Sequence, residues 1–336
     1  MFDLEKMKRI DVSKMYHVYD NWPSIAKEAL YQENEKIEKK YYDNIIFAGM
    51  GGSGTIGDIF TSILSKTEIH SSTVKGYLLP RTITEKSLIV ITSVSGNTAE
   101  TYNILEDSHK NNFKIICFSS GGKIEKYCKK NKIIHYHIDE IHSPRASLIR
   151  FLFTMLKIME PILPIKDKNI FECINELEKL QRIINSSNLS EENVSLTLAE
   201  WITDIPLIYY PWGLQAAAIR FKNSLQENAK LHVISEDVIE SSHNGIVAWE
   251  KASRVKPILI QGKDDFSKTK ERWIILKEYF SKYNIEYKEV HSRGDSILSK
   301  LVTLIYQLDY CSIYRSIMSE IDPSPVASIK FIKERL

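Results

Sequence analysis

Two short runs carry the residues best suited to chemistry. Residues 49–58 read Gly-Met-Gly-Gly-Ser-Gly-Thr-Ile-Gly-Asp and residues 93–98 read Ser-Val-Ser-Gly-Asn-Thr, each after a short β-branched stretch. A strand that ends in a glycine turn and opens a helix leaves backbone N–H groups unpaired at the positive end of the helix dipole, where an anion is favoured. Ser53, Ser93, Ser95 and Thr98 would add hydroxyls, and Gly51 and Gly52 bare amides, so the pair of runs suits a phosphate held without a metal. The first run matches G-x-G-x-x-G, yet a dinucleotide site also wants an acid about 20 residues on to hold the ribose. That neighbourhood reads Thr73-Val-Lys-Gly-Tyr77, with no acid, and a P-loop is ruled out because Thr55 rather than lysine follows Gly54. For any one residue a plainer reading stands beside this one. The glycines also suit close helix packing, and Asn97 with Glu100 has capping-box spacing for the next helix. Capping does not account for three hydroxyls beside a second glycine turn.

Three further residues could move protons or steady charge. Glu227 falls late in a helix expected over Leu214–Ala229, whose apolar stripe is Leu214, Ala218, Phe221 and Leu225, while Arg220, Asn223 and Glu227 share a polar face. The negative end of the helix dipole makes a carboxylate there a better proton acceptor, although a solvated helix-end glutamate has the same pattern. His243, followed by a flexible Asn244-Gly245 turn, can shuttle a proton near neutral pH or be an ordinary turn or core histidine. Arg145 follows Ser143-Pro144, read as an N-cap and first helical position. From that helix start it could neutralise a developing negative charge or lie on the surface. Asp309, Ser312 and Tyr314, in an expected helix Ser299–Met318, read as structural.

The elements that must position these residues come in two series. Asn44–Phe47, Leu88–Thr92, Lys114–Phe118 and Ile133–Ile138 read as short buried strands alternating with helical periodicity, with His70–Tyr77 a weaker fifth. A second series, Pro206–Tyr210, Leu231–Ser235, Lys256–Gln261 and Glu286–His291, follows a helical stretch and a polar connection at Asn185–Ser190. The pattern predicts an α/β protein of two doubly wound parallel-sheet subdomains in tandem, over 1–155 and 196–336, joined by a helical connection over 156–195. A ligand would sit between the sheets at the carboxyl ends of their strands.

Composition narrows the class. The chain has 336 residues, 43% of them hydrophobic, enough for two cores. A net charge of +2 gives no reason to expect nucleic acid or a membrane surface as partner. The most apolar stretch, Ser147–Ile165, is broken by Arg150, Lys157 and Glu160, and Met1–Tyr16 lacks a signal peptide's apolar core. Cys117, Cys128, Cys173 and Cys311 have no zinc spacing, so free thiols, a cytoplasmic location and no metal or other cofactor are expected.

The runs at 49–54 and 93–98 resemble those of sugar isomerase (SIS) domains. More closely, the chain resembles the archaeal-type bifunctional phosphoglucose/phosphomannose isomerases. The similarity extends through Ser143-Pro-Arg-Ala-Ser-Leu148, Lys222-Asn-Ser-Leu-Gln-Glu-Asn-Ala-Lys230, Ser242-His-Asn-Gly245 and Asp322-Pro-Ser-Pro-Val326. It departs from the family pattern at Thr55-Ile56 and at Ala248. The resemblance implies a homodimeric enzyme that interconverts glucose 6-phosphate and mannose 6-phosphate with fructose 6-phosphate through a cis-enediol. Its SIS subdomains would bind the hexose 6-phosphate through Gly51, Gly52, Ser53, Ser93, Ser95 and Thr98. Glu227 would then be the base, Arg145 would stabilise the enediolate, and His243 would open the sugar ring in the neighbouring subunit's site. Lys333 would be a substrate contact or ring-opening partner. Two other functions keep the same phosphate grip: a non-catalytic sugar-phosphate-binding regulator, and an amino-sugar phosphate isomerase or deaminase.

Overall fold

The computed structural model describes residues 2–335, and its contacts divide the chain into two compact units. One comprises Asn21–Asp167 with the chain end from Ala327; the other comprises Lys168–Val326 with the N-terminal segment ending at Asp20.

The first unit is built on five parallel strands, β1 (Asn44–Ala48), β2 (His70–Val74), β3 (Ser87–Ser93), β4 (Lys114–Ser119) and β5 (Ile134–His137), in the order β2-β1-β3-β4-β5. Every residue of β1 and β3 is buried, as expected of central parallel strands covered on both faces. The edge strands β2 and β5 are half exposed and correspondingly polar. Ile46, Ala48, Ile89, Ile91 and Cys117 pack with Ile104, Leu105 and Ile124 of the covering helices. On the Gly51–Leu64 helix Phe60 stacks on Phe47 of β1 at 5.1 Å. The apolar stretch around residue 150 is the helix Leu148–Met159, buried along nearly its whole length and continued by a single turn at Glu160–Ile162.

The second unit holds four parallel strands, β6 (Ile205–Tyr210), β7 (Ile234–Asp237), β8 (Val255–Gln261) and β9 (Lys288–His291), ordered β7-β6-β8-β9. Its packing centres on the helix Ile297–Met318, which lies against the helices Gln215–Ala229 and Val194–Trp201. β7 begins three residues later than the expected Leu231. Lys230 ends the preceding helix in the left-handed conformation (φ 57°), and the Leu231 amide donates to the Leu225 carbonyl at 3.3 Å, so Leu231 finishes a helix cap rather than entering a strand. No helix among the described residues is long and apolar enough to cross a membrane.

Candidate functional site

In an open parallel sheet with strand order 2-1-3-4-5, the chain leaves in opposite directions after strands 1 and 3, and their carboxyl ends frame a crevice. The two hydroxyl-bearing runs are the loops after β1 and β3. They touch: the Ser53 hydroxyl accepts from the Val94 amide at 3.4 Å. The Ser93 and Thr98 hydroxyls are hydrogen-bonded at 2.9 Å, and the Ser95 hydroxyl accepts from the Asn97 amide at 3.3 Å. Ser53 and Ser93 are buried, while Ser95 and Thr98 are half-buried at the mouth.

Each loop opens a helix whose first turn lacks a side-chain cap. The Gly51–Leu64 helix is preceded by Met50, which offers no acceptor, and the Ala99–Lys110 helix by Thr98, whose hydroxyl goes to Ser93 instead. The first N–H groups of a helix have no partner within it, so two neighbouring helix starts leave donors for an anion in the same crevice. Gly51 takes φ +52°, which disfavours other L-residues, and nothing lies within 4 Å of where its Cβ would be. Gly57 behaves otherwise: a Cβ there would meet Phe47 and Thr73, each at 2.9 Å, so this glycine serves helix–sheet packing.

Where a dinucleotide site would carry an acid after the second strand, Lys75 follows β2 and pairs with Asp58. Burial pushes the Asp58 carboxyl above its ordinary range, and the Lys75 ammonium opposes that rise. Asn97 is not the cap of its own helix. Its side-chain oxygen accepts from the Lys123 amide of the next helix at 3.1 Å, because the positive φ of Gly96 turns the loop toward β4.

Arg145 does not project from a helix start. Residues 143–147 form a turn in which the Ser147 amide and hydroxyl both donate to the Ser143 carbonyl, and the helix begins only at Leu148. Arg145 is 5% exposed, which removes the surface reading, and it lies on the segment that leaves the carboxyl end of β5. Lys333 is exposed on the short helix Ala327–Lys333, in the same unit as the hydroxyl loops.

Glu227 and His243 belong to the other unit. Glu227 sits half-buried in the last turn of Gln215–Ala229, where the Lys230 ammonium bonds its carbonyl and, at 2.7 Å, that of Pro325. The polar face expected around Glu227 is not a solvated one. Arg220 is buried and paired with Asp309 at 2.7 Å, and the Tyr19 and Ser224 hydroxyls donate to the same carboxylate. Burial alone would favour loss of the guanidinium proton; Asp309 outweighs it and, with Glu227, holds the Arg220 pKa above its ordinary value. Ser312 accepts from the Asn228 amide at 2.8 Å and Tyr314 donates to the Ile184 carbonyl, so the polar residues of the long helix are structural.

His243 is exposed in the turn after Val238–Ser241, its amide donating to the Glu240 carbonyl at 2.9 Å, so it is not a core histidine. That turn follows the carboxyl end of β7, whereas the helix bearing Glu227 ends where β7 begins. The four-residue strand β7 thus separates them in the chain.

Residues 191–336 match the family described as bacterial phospho-glucose isomerase C-terminal SIS domain. The fold is shared with a hypothetical protein from Thermus thermophilus (TM-score 0.76, 11% identity, covering 98% of this chain and 92% of that one). Over nearly its whole length the chain is related to bifunctional phosphoglucose/phosphomannose isomerases. It is 28% identical to that of Caldicellulosiruptor bescii (92% of this chain, 98% of the relative) and 27% identical to that of Aquifex aeolicus (97% of each).

Proposed function

We propose that the protein is an aldose–ketose isomerase acting on glucose 6-phosphate and mannose 6-phosphate, with fructose 6-phosphate as the common product. The observation that carries the reading is the crevice between β1 and β3, where two uncapped helix starts and the hydroxyls of Ser53, Ser93, Ser95 and Thr98 converge. Hydroxyls and helix amides suit a phosphate monoester, which anchors the sugar while its far end reacts.

Isomerisation moves one proton between C1 and C2. Glu227 takes the proton from one carbon and returns it to the other, passing through a planar cis-enediol. Glucose 6-phosphate and mannose 6-phosphate differ only at C2, so the enediol is the same for both, and one base serves the two substrates where rotation about C2–C3 turns either proton toward it. Arg145 balances the charge that builds on the enediolate oxygens. His243 opens the ring by carrying a proton between the ring oxygen and the anomeric hydroxyl. His243 of a second copy would complete the site, as the resemblance to the phosphoglucose/phosphomannose isomerases implies, hence a homodimer. Lys333, exposed near the chain end, would be a second polar contact to substrate.

The test is Glu227→Gln, assayed with each hexose 6-phosphate by coupling to fructose 6-phosphate formation. The expected result is a loss of about 10²–10⁴ in kcat, the contribution of a general base, with phosphate affinity kept and C2 deuterium exchange abolished. Parent-like turnover would remove Glu227 from the mechanism. Phosphate binding by a parent protein that turns over neither substrate would mark a sugar-phosphate sensor instead.

A further inference from the structure

A third glycine turn follows β4, where Ser119-Ser-Gly-Gly-Lys123 opens the helix Gly122–Asn131. Its helix start differs from the two beside it, because its N–H groups are spent on the hydroxyl loop. The Lys123 amide donates to the Asn97 side chain at 3.1 Å, the Ile124 amide to the Gly96 carbonyl at 3.0 Å, and the Ser120 amide to the Val94 carbonyl at 2.9 Å. Asn97 works at both ends, since its side-chain NH₂ donates to the Ser95 carbonyl at 3.0 Å. Between the loops there is no room for a side chain: a Cβ on Gly96 would lie 1.8 Å from the Gly121 carbonyl oxygen, and one on Gly122 would lie 2.6 Å from that of Ser95. The turn is itself held from β5. Ser119 donates to the Gly121 carbonyl at 2.9 Å, accepts from the Gly121 amide at 3.3 Å and is hydrogen-bonded to His135 Nε2 at 2.8 Å.

We propose that Asn97, braced by the Gly121–Gly122 turn, is a positioning residue that fixes the spacing of the Ser93, Ser95 and Thr98 hydroxyls for a phosphate monoester. The inference rests on the assignment of those hydroxyls to substrate phosphate. Asn97 acts through the Ser95 carbonyl and the loop backbone. A loop already ordered before binding loses less freedom when the anion arrives. A residue of this kind governs affinity for the phosphate and leaves the proton transfer at the other end of the sugar alone.

The experiment compares Asn97→Ala with the parent by titration with inorganic phosphate and by steady-state kinetics on both hexose 6-phosphates. Losing both hydrogen bonds should weaken phosphate binding and raise KM in parallel by about tenfold or more, with kcat within about twofold. A merely structural role would lower Tm and the yield of active protein while leaving KM and phosphate affinity unchanged, and that result overturns the proposal. If Asn97→Ala does not fold, the neutral Asn97→Ser keeps a small polar side chain but cannot span both the Lys123 amide and the Ser95 carbonyl. Weakened phosphate binding in it supports the proposal, and parent-like affinity overturns it. Ser95→Ala and Thr98→Ala separate the two levels of inference. If they bind phosphate as the parent does, the phosphate site itself is misplaced; if they fail to bind and Asn97→Ala binds normally, only the positioning role falls.

Discussion

Replacing Asp309 by asparagine keeps the shape of a fully buried side chain and removes its charge. The carboxylate receives the Arg220 guanidinium at 2.7–3.1 Å, the Tyr19 hydroxyl at 3.0 Å and the Ser224 hydroxyl at 2.5 Å, and Arg220 is 2% exposed. Taking away one partner of a buried ion pair leaves the other charge without compensation in a medium that solvates it poorly, at a cost of about 3–5 kcal/mol. The pair lies in a unit of about 180 residues. For a unit of that size each kcal/mol shifts the melting temperature by about 2–4 °C, so Asp309→Asn should melt roughly 6–20 °C below the parent. Calorimetry or circular dichroism reads the shift directly, and urea unfolding gives the free energy. The double variant Arg220→Met with Asp309→Leu should recover most of the loss, because an apolar pair of similar volume avoids the desolvation of both charges. A drop of less than about 2 °C in Asp309→Asn, or a double variant no better than the single one, would refute this reasoning.

Glu236 on β7 has a buried side-chain oxygen without a hydrogen-bond partner, and burial raises its carboxyl above the ordinary glutamate value. Its folded-state pKa therefore exceeds the unfolded one, so stability is full below the ordinary range and falls as pH rises through the raised value. Glu236→Gln should match the parent's Tm near about pH 4 and exceed it increasingly toward neutrality, and a Tm difference independent of pH would refute the assignment. Gly57→Ala sets helix propensity, a gain of about 1 kcal/mol, against overpacking of about 1–3 kcal/mol on the stiff Cβ of Phe47 and methyl of Thr73. The expected result is a lower Tm, and a stabilised variant would show that the helix shifts freely on its sheet.

The sheet cores were legible because strands buried on both faces read as unbroken apolar runs, as in Leu88–Ile91 and Ile258–Ile260. His70–Val74 gave a weaker signal because it is an edge strand of mostly polar residues. The hydroxyl loops could be read as well, since a glycine turn between strand and helix is a local pattern. Long-range complements could not. Nothing in the spacing of Arg220, Asn223 and Glu227 reveals that Asp309, 89 positions on, turns one of them inward. Nor does a helical period show that Asn97 caps the neighbouring helix rather than its own. The Ser119–Lys123 run carries the same signature as the first two loops, and its neighbours in space give it a different task. Arg145 was placed at a helix start because Ser143-Pro144 suits one as well as a turn, yet the helix begins only at Leu148.

The exposure of His243 in a turn of its own has a genetic consequence under the proposed mechanism. Each polypeptide would lend its imidazole outward and rely on a sibling for its own. A damaged His243 would then silence a catalytic centre in which every other group is intact, and a damaged Glu227 would leave the neighbour's centre working. Cells carrying one copy of each defect would assemble mixed pairs with one sound centre apiece, so two lesions that are each lethal to the enzyme alone would rescue one another.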